Sequence, residues 1–292
     1  MEDFWNQTII ATFGDGNVKT LRKVLPYVVL SIIALPFLLM YVFFFMQAFS
    51  EKVILAVIPK KFDISNFSFL WKPIPWGLEK TTVWVAFFNT LSYALTIATI
   101  STIVCLLAGY ALSRIRSRKA GFFLFLQLAL HAVPAINLLI ALFFILFYLR
   151  LLYTIFGVAL IAVAVGVPIG TWIIKGFFDG ISVDIERAAR IDGCTQFQIW
   201  WKIILPLVKP GIYAIFIWAF LGGWSDFIFV YTFLPGTTPV LATLIQSLLA
   251  TEVVDYGFLA ALSLFYLLPP LFLFVSLQKA LSKAPIMGGI KR

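Results

Sequence analysis

Apolar residues run along this chain in six long blocks, not in the short alternating patterns of water-facing elements. The blocks are Leu25–Gln47, Trp84–Leu112, Phe122–Leu149, Phe156–Phe178, Leu207–Phe233 and Phe258–Leu281. Each exceeds the roughly 20 residues that an α-helix needs to cross a hydrocarbon core of ~30 Å. A helix bonds its own backbone and survives without water. The pattern therefore predicts an all-α polytopic membrane protein with six transmembrane helices. The first block is too long for the apolar part of a cleavable leader, and no small-x-small site closes it, so it is expected to remain as a span.

The polar positions between the blocks set the orientation. Lysines and arginines before span 1, between spans 2 and 3, between spans 4 and 5 and after span 6 number sixteen, against six on the opposite side. Cytoplasmic loops carry the cationic excess, so both termini are expected inside. Residues 1–24 then form a cytoplasmic segment, 25–281 the transmembrane part and 282–292 a cytoplasmic tail. A plasma or inner membrane location follows.

Composition agrees and excludes other classes. The chain of 292 residues is 62% apolar and 12% charged, where a soluble domain has about 45–50% and 25%. Mean hydropathy is +1.02. The net charge of +9 is read as topology rather than nucleic-acid binding. Cys105 and Cys194 stand 89 residues apart without a Cys/His cluster, so neither a disulfide framework nor a metal site is expected. No Gly-Lys dipeptide occurs, so there is no Walker A loop and any ATP, with its Mg, belongs to another chain. No Ser/His/Asp or paired-carboxylate set shares a membrane depth, which speaks against an enzyme and against a cofactor bound by this chain. Almost all charges fall in loops or at helix ends, which speaks against a stand-alone channel or ion-coupled transporter.

The informative segment is the cytoplasmic loop Gly180–Gly211. It reads as two short helices. Ser182 is placed as N-cap of the first, with Asp184 and Glu186 in its first turn and Glu186–Arg190 as an i,i+4 pair. Gly193 occupies the C-terminal cap position. Ile185, Ala188, Ala189 and Asp192 fall on one face at 3.6 spacing, and the small residues there would let another surface approach closely. Thr195 and Gln198 make a capping-box pattern for the second helix. Phe197, Trp200, Trp201 and Ile204 give it an apolar stripe, and Pro206 and Pro210 bracket the entry to span 5.

Arg187-Ala188-Ala189, Gly193, Ile203 and Leu205-Pro206 reproduce the spacing EAA-x3-G-x9-I-x-LP. This resembles the EAA loop of permease subunits in binding-protein-dependent ABC importers. Ile191-Asp192-Gly193 and Leu205-Pro206-x-x-Lys209-Pro210 look like the sugar-importing branch. The triplet's glutamate is Arg187 here, with Glu186 one place earlier, so the side chain that meets the ATPase stays open between them. Phe88-Asn89-Thr90-Leu91, Ala108 to Arg114, Trp172 with Gly176-Phe177-Phe178, and Trp224-Ser225-Asp226-Phe227 also resemble the family. Gly288-Gly289-Ile290-Lys291 resembles the tail of the maltose-type G subunit. The resemblance implies a type I ABC importer permease fold and half of a path for a maltose- or trehalose-like oligosaccharide. It also implies a second homologous permease in a heterodimer, two ATPase subunits and an extracytoplasmic sugar-binding protein. Glu186, Arg187, Ala188, Ala189, Asp192, Gly193, Leu205 and Pro206 would couple to the ATPase, the motion passing through Pro206 into span 5. Phosphate, glycerol-phosphate, amino-acid and peptide permeases remain alternatives.

Polar groups inside spans are candidates for the solute path. His131, Pro134 and Asn137 lie near one face of span 3, with Pro134 expected to kink it. Trp224, Ser225 and Asp226 lie about 20 Å along the helix above Gly211, in the outer half. His131, Asn137, Trp224, Ser225 and Asp226 are therefore the path candidates. In the outer segment, Asn66-Phe67-Ser68 fits a glycosylation acceptor.

The orientation is checkable: a cysteine placed at Ser117 should be silent to an impermeant thiol reagent added outside intact cells. Labelling from outside would reverse the topology.

Overall fold

The computed structural model describes residues 15–50, 53–54, 58–59, 61–76, 79–115, 118–234, 236, 238–250 and 254–282. Residues 1–14, Ser117 and the tail from residue 283, with its Gly288-Gly289-Ile290-Lys291 run, lie outside them.

All six apolar blocks are helical. Helices α1 (Asp15–Ala48) and α2 (Val83–Arg114) hold the first two. The third is broken into α3 (Arg118–His131), a 3-10 turn (Ala135–Leu138) and α4 (Leu139–Tyr148). The cause is Pro134, which has no N–H for the carbonyl four residues back and sits at φ −57°, ψ 129°. The expected kink is thus a full interruption. α5 (Ile155–Asp179) holds the fourth block, and the Thr154 hydroxyl accepts from Gly157 N at 3.0 Å to cap it. The loop between the fourth and fifth blocks supplies α6 (Val183–Ile191). The fifth block lies in α7 (Gln196–Trp224), which ends at Trp224 and resumes as the short α8 (Ile228–Phe233). An unanticipated outer helix, α9 (Leu241–Leu249), precedes α10 (Tyr256–Ser282). Five of these helices are long and apolar enough to cross a membrane, and the broken third block supplies shorter ones.

The chain divides into two units. One comprises residues 1–67 and 255–264. Its α1 exposes its apolar residues from Val24 to Val42, a surface for lipid rather than for a protein core. Past α1, Phe49 stacks between Phe45 and Phe67, at 4.7 and 4.8 Å between ring centres. The Asn66 side-chain nitrogen lies 3.1 Å from the Ala48 carbonyl and 3.0 Å from that of Ser50, donating to both. That nitrogen is the atom a glycan would need, so the acceptor reading of this site does not hold in the fold.

The other unit comprises residues 68–254 and 265–292. Its centre is α2 packed along α5 and α7. Cys105, Ile174, Phe178, Ile199, Ile204 and Ile215 are buried where these helices meet the cytoplasmic loop. Helices in lipid gain nothing from hiding apolar surface from tails that are equally apolar, so close backbone approach supplies the attraction. Gly109 shows this: a Cβ there would run into Ile174 and lie 3.2 Å from Lys175 N. At the opposite end Trp224 and Tyr266 exchange hydrogen bonds. The indole N–H donates to the Tyr266 carbonyl at 3.1 Å, and the phenol donates to the Trp224 carbonyl at 2.6 Å.

Gly109→Val should therefore lower the thermal midpoint of the purified complex, by an overpacking cost of about 1–3 kcal/mol. Gly121→Ala, at a site with nothing within 4 Å, should leave it unchanged. Equal midpoints for both would contradict the close α2–α5 contact.

Candidate functional site: the cytoplasmic coupling loop

The loop folds from its own local signals. Ser182 Oγ accepts from Asp184 N at 3.2 Å and starts α6. The helix ends in a Schellman arrangement. Cys194 N donates to Ala189 O at 3.0 Å and Gly193 N to Arg190 O at 3.1 Å, with Gly193 at φ +82°. Thr195 and Gln198 form the reciprocal capping box that opens α7. A π-helical turn then spans Ile199–Ile204, closed by Leu205 N bonding the Trp200 carbonyl. The slip in register falls just before Pro206, which has no N–H to offer the Lys202 carbonyl.

The electrostatic centre of the loop is Glu186, which is only 3% exposed. It does not pair with Arg190, contrary to the sequence reading. Arg114 at the end of α2 donates from Nε to Glu186 Oε1 at 2.6 Å, and Tyr110 donates its hydroxyl to Oε2 at 3.0 Å. The Arg114 Nη1 also bonds the Ser113 hydroxyl at 3.0 Å and the Phe178 carbonyl at 3.1 Å. Ser113 in turn donates to Asp179 at 2.7 Å, and Asp179 pairs with Lys175 at 2.6 Å. Gln196 donates to the Tyr110 hydroxyl at 2.9 Å and accepts from Arg190 at 2.7 Å. Opposing charge and a hydrogen bond to each oxygen compensate a carboxylate that burial alone would strongly disfavour.

The two candidate charges are placed differently. Glu186 is consumed inside the chain, while Arg187 stands on the exposed side in a 3.0 Å pair with Asp184. The predicted smooth face is also corrected. Ala189 is buried beside Glu186, because residues three and four apart share a helix face. Ile185, Ala188 and Asp192 do face outward, joined by Ile191 at 87% exposure. Leu205 is half-buried and Pro206 exposed. The aromatic stripe divides as well: Ile204 turns inward, whereas Phe197 and Trp201 stack outward, 6.2 Å apart. Tyr110, Arg114 and Gln196 hold the loop from behind, contacts that sequence reasoning did not assign to them.

The solute-path candidates fare differently from one another. Trp224 is corrected: at 2% exposure it sits among Phe87, Phe220 and Tyr266, its ring given to packing. Ser225 is exposed and donates to Leu221 O at 2.8 Å. Asp226 accepts the Tyr93 hydroxyl at 2.6 Å and, with its other oxygen, Phe229 N at 3.1 Å, which caps α8. A cavity of about 230 Å³ opens beside it, lined by Ile97, Ser101, Val165, Trp218 and Gly222. His131 is not among the lining residues; its Nδ1 donates to the carbonyl of Val165, which is, at 3.1 Å and ties α3 to α5. Asn137 is exposed on the 3-10 turn.

The chain belongs to the family of binding-protein-dependent transport system inner membrane components, whose model matches residues 101–285. It is a membrane permease component rather than a catalytic subunit. It is 30% identical over 207 residues to a sulfoquinovosyl glycerol transport system permease of Agrobacterium fabrum, covering 70% of this chain and 72% of that one. A maltodextrin transport system permease of Bacillus subtilis is 32% identical over 209 residues, covering 70% and 74%. The fold matches a chain in the crystal structure of a bacterial ABC transporter involved in import of the acidic polysaccharide alginate. That match has a TM-score of 0.72 at 22% identity and covers 90% of this chain and 97% of that chain.

Nothing of this chain lies within 4 Å of a Cβ at Gly193, so within the chain its requirement is the positive φ. Gly193→Asn should then retain most coupling, since asparagine tolerates the left-handed region. Gly193→Val should cost about 1–2 kcal/mol of local stability and reduce transport per ATP hydrolysed in proteoliposomes. Equal coupling in both variants would remove the cap from the mechanism.

Proposed function

We propose that this chain forms one half of the translocation path of an ATP-driven importer of oligosaccharides. A second homologous permease supplies the other half, two ATPase subunits bind ATP and Mg, and an extracytoplasmic binding protein delivers the solute. The observation that carries the reading is the outward face of α6: Asp184, Arg187, Ala188, Ile191 and Asp192 are all exposed on a helix held rigidly from behind. Such a face suits a groove in a partner, with Ile191 as the apolar key and charges orienting it. The solute class rests on the sugar and sugar-conjugate permeases among the relatives. The cavity beside Asp226 is lined mainly by apolar residues, with Ser101 and Asp226 among them as polar groups and Trp218 as an aromatic surface.

In this reading closure of the ATPase dimer moves the loop, and the path alternates between inward-open and outward-open. The test is to purify the tagged chain from its native membrane, identify what accompanies it and assay uptake. An ATPase and a second permease should co-purify, and malto-oligosaccharides should compete for uptake while amino acids and peptides should not. Competition by peptides alone would reassign the solute class; purification without any ATPase would remove the importer reading.

A further inference from the structure

The loop is joined to the membrane part covalently, through α5 and α7, and by hydrogen bonds, through α2, and these routes differ in stiffness. α5 carries Pro168, while α7 starts with the π turn at Ile199–Ile204, carries Pro206 and Pro210, and stops at Trp224. A π turn and prolines each remove or lengthen ladder bonds, so the covalent routes yield under load. The hydrogen-bonded route is α2. It contains no proline along its 32 residues. The other long helices all do: Pro26 and Pro36 in α1, Pro168 in α5, Pro269 and Pro270 in α10. At its inner end α2 holds the loop through Arg114 and Tyr110 on Glu186, and through Tyr110 to Gln196.

Its outer end is equally engaged. Asn89 donates to the Pro239 carbonyl at 2.8 Å. The buried Thr90 hydroxyl accepts from Leu241 N at 2.9 Å, at the start of α9. Tyr93 donates to Asp226 at 2.6 Å, at the break between α7 and α8. One uninterrupted helix thus bonds the coupling loop at Arg114 and the outer-side break at Asp226, with roughly 38 Å of axis between Asn89 and Arg114 at 1.5 Å per residue.

We propose that α2 is the push-rod of this permease. Movement of α6 enters α2 through Glu186 and leaves it through Asn89, Thr90 and Tyr93, so that the nucleotide state of the partner sets the arrangement of the Ser225–Phe227 break. Glu186 and Tyr93 are the positioning residues at its two ends. This rests on the importer reading but not on the solute class.

The test uses the whole complex in its membrane and a cysteine at Tyr231, an exposed position on α8. Its alkylation rate by an impermeant maleimide added outside is compared without nucleotide and after trapping with ATP and vanadate. Linked sites typically shift one another about 5-fold or more, and the parent complex should show a nucleotide-dependent change of that order. Glu186→Gln keeps the shape and removes the charge; Tyr93→Phe removes one hydroxyl. Each should abolish most of the change while the ATPase still co-purifies, and the double variant should be no worse than either alone, because two breaks in one rod do not multiply. Exchanging the pair, Arg114→Glu with Glu186→Arg, should restore part of the response, which a merely misfolded loop would not. A response that persists in both single variants, effects that multiply in the double variant, or a parent without nucleotide response would each overturn the proposal. A parent that responds to nucleotide yet imports no oligosaccharide would overturn the solute class and leave the rod standing.

Discussion

The ion pair between Arg114 and Glu186 is the constraint on which the loop depends. A carboxylate withdrawn from water is tolerated only when an opposite charge and hydrogen-bond donors replace its hydration. Here one residue from the end of α2 supplies the charge, and Tyr110, one turn earlier, supplies a second donor. Removing either partner would leave the other charge buried, a loss of about 3–5 kcal/mol for such pairs. The pair therefore fixes where α6 sits and which of its faces is turned out. Arg187, Ala188 and Ile191 are presented because Glu186 and Ala189 are held in.

The membrane core follows a different rule. Between helices in lipid, packing and polar bonds must provide what the hydrophobic effect provides in water. The bare backbone at Gly109 lets α2 and α5 approach. Cys105, Thr171 and Ile174 fill the same seam and are fully buried. Side chains on α1, α3 and α4 remain largely exposed, as they must if lipid and a second subunit complete their surroundings.

Most of the fold was legible because membrane thickness imposes it. Twenty or more apolar residues between charged ends have few other uses, and the six blocks were found from that alone. The loop's caps were equally legible: Ser182, Gly193, Thr195 and Gln198 act on neighbours within a few residues. What failed were readings that needed contacts distant in sequence. Glu186 and Arg190 have the spacing of a helix pair, yet the partner that wins is 72 residues away, and no periodicity reports that. In the sequence, Arg114 is one of the cations that set topology and the end of a family-like run, and neither reading pairs it with Glu186. Trp224 illustrates the converse: an indole near an interface resembles a solute contact until Phe87, Phe220 and Tyr266 are seen to surround it.

The two interruptions of the membrane helices show how backbone can be left unbonded in lipid. Irregular backbone at membrane depth persists only where other groups take up its donors and acceptors. At the Ser225–Phe227 break Ser225 Oγ donates to the Leu221 carbonyl, Tyr266 donates to that of Trp224, and Asp226 receives the Phe229 amide. Asp226 thus accepts the Phe229 amide with one carboxylate oxygen and the Tyr93 hydroxyl of α2 with the other. The break in the third block is supported less: Asn137 N returns to the Pro134 carbonyl, and His131 reaches across to Val165. The first interruption is therefore locked to the helix that also grips the coupling loop, while the second is held mainly by its own turn. In the proposed importer that asymmetry matters, because the Ser225–Phe227 break is bonded to the helix that holds Glu186, while the third-block break reaches only α5 through His131.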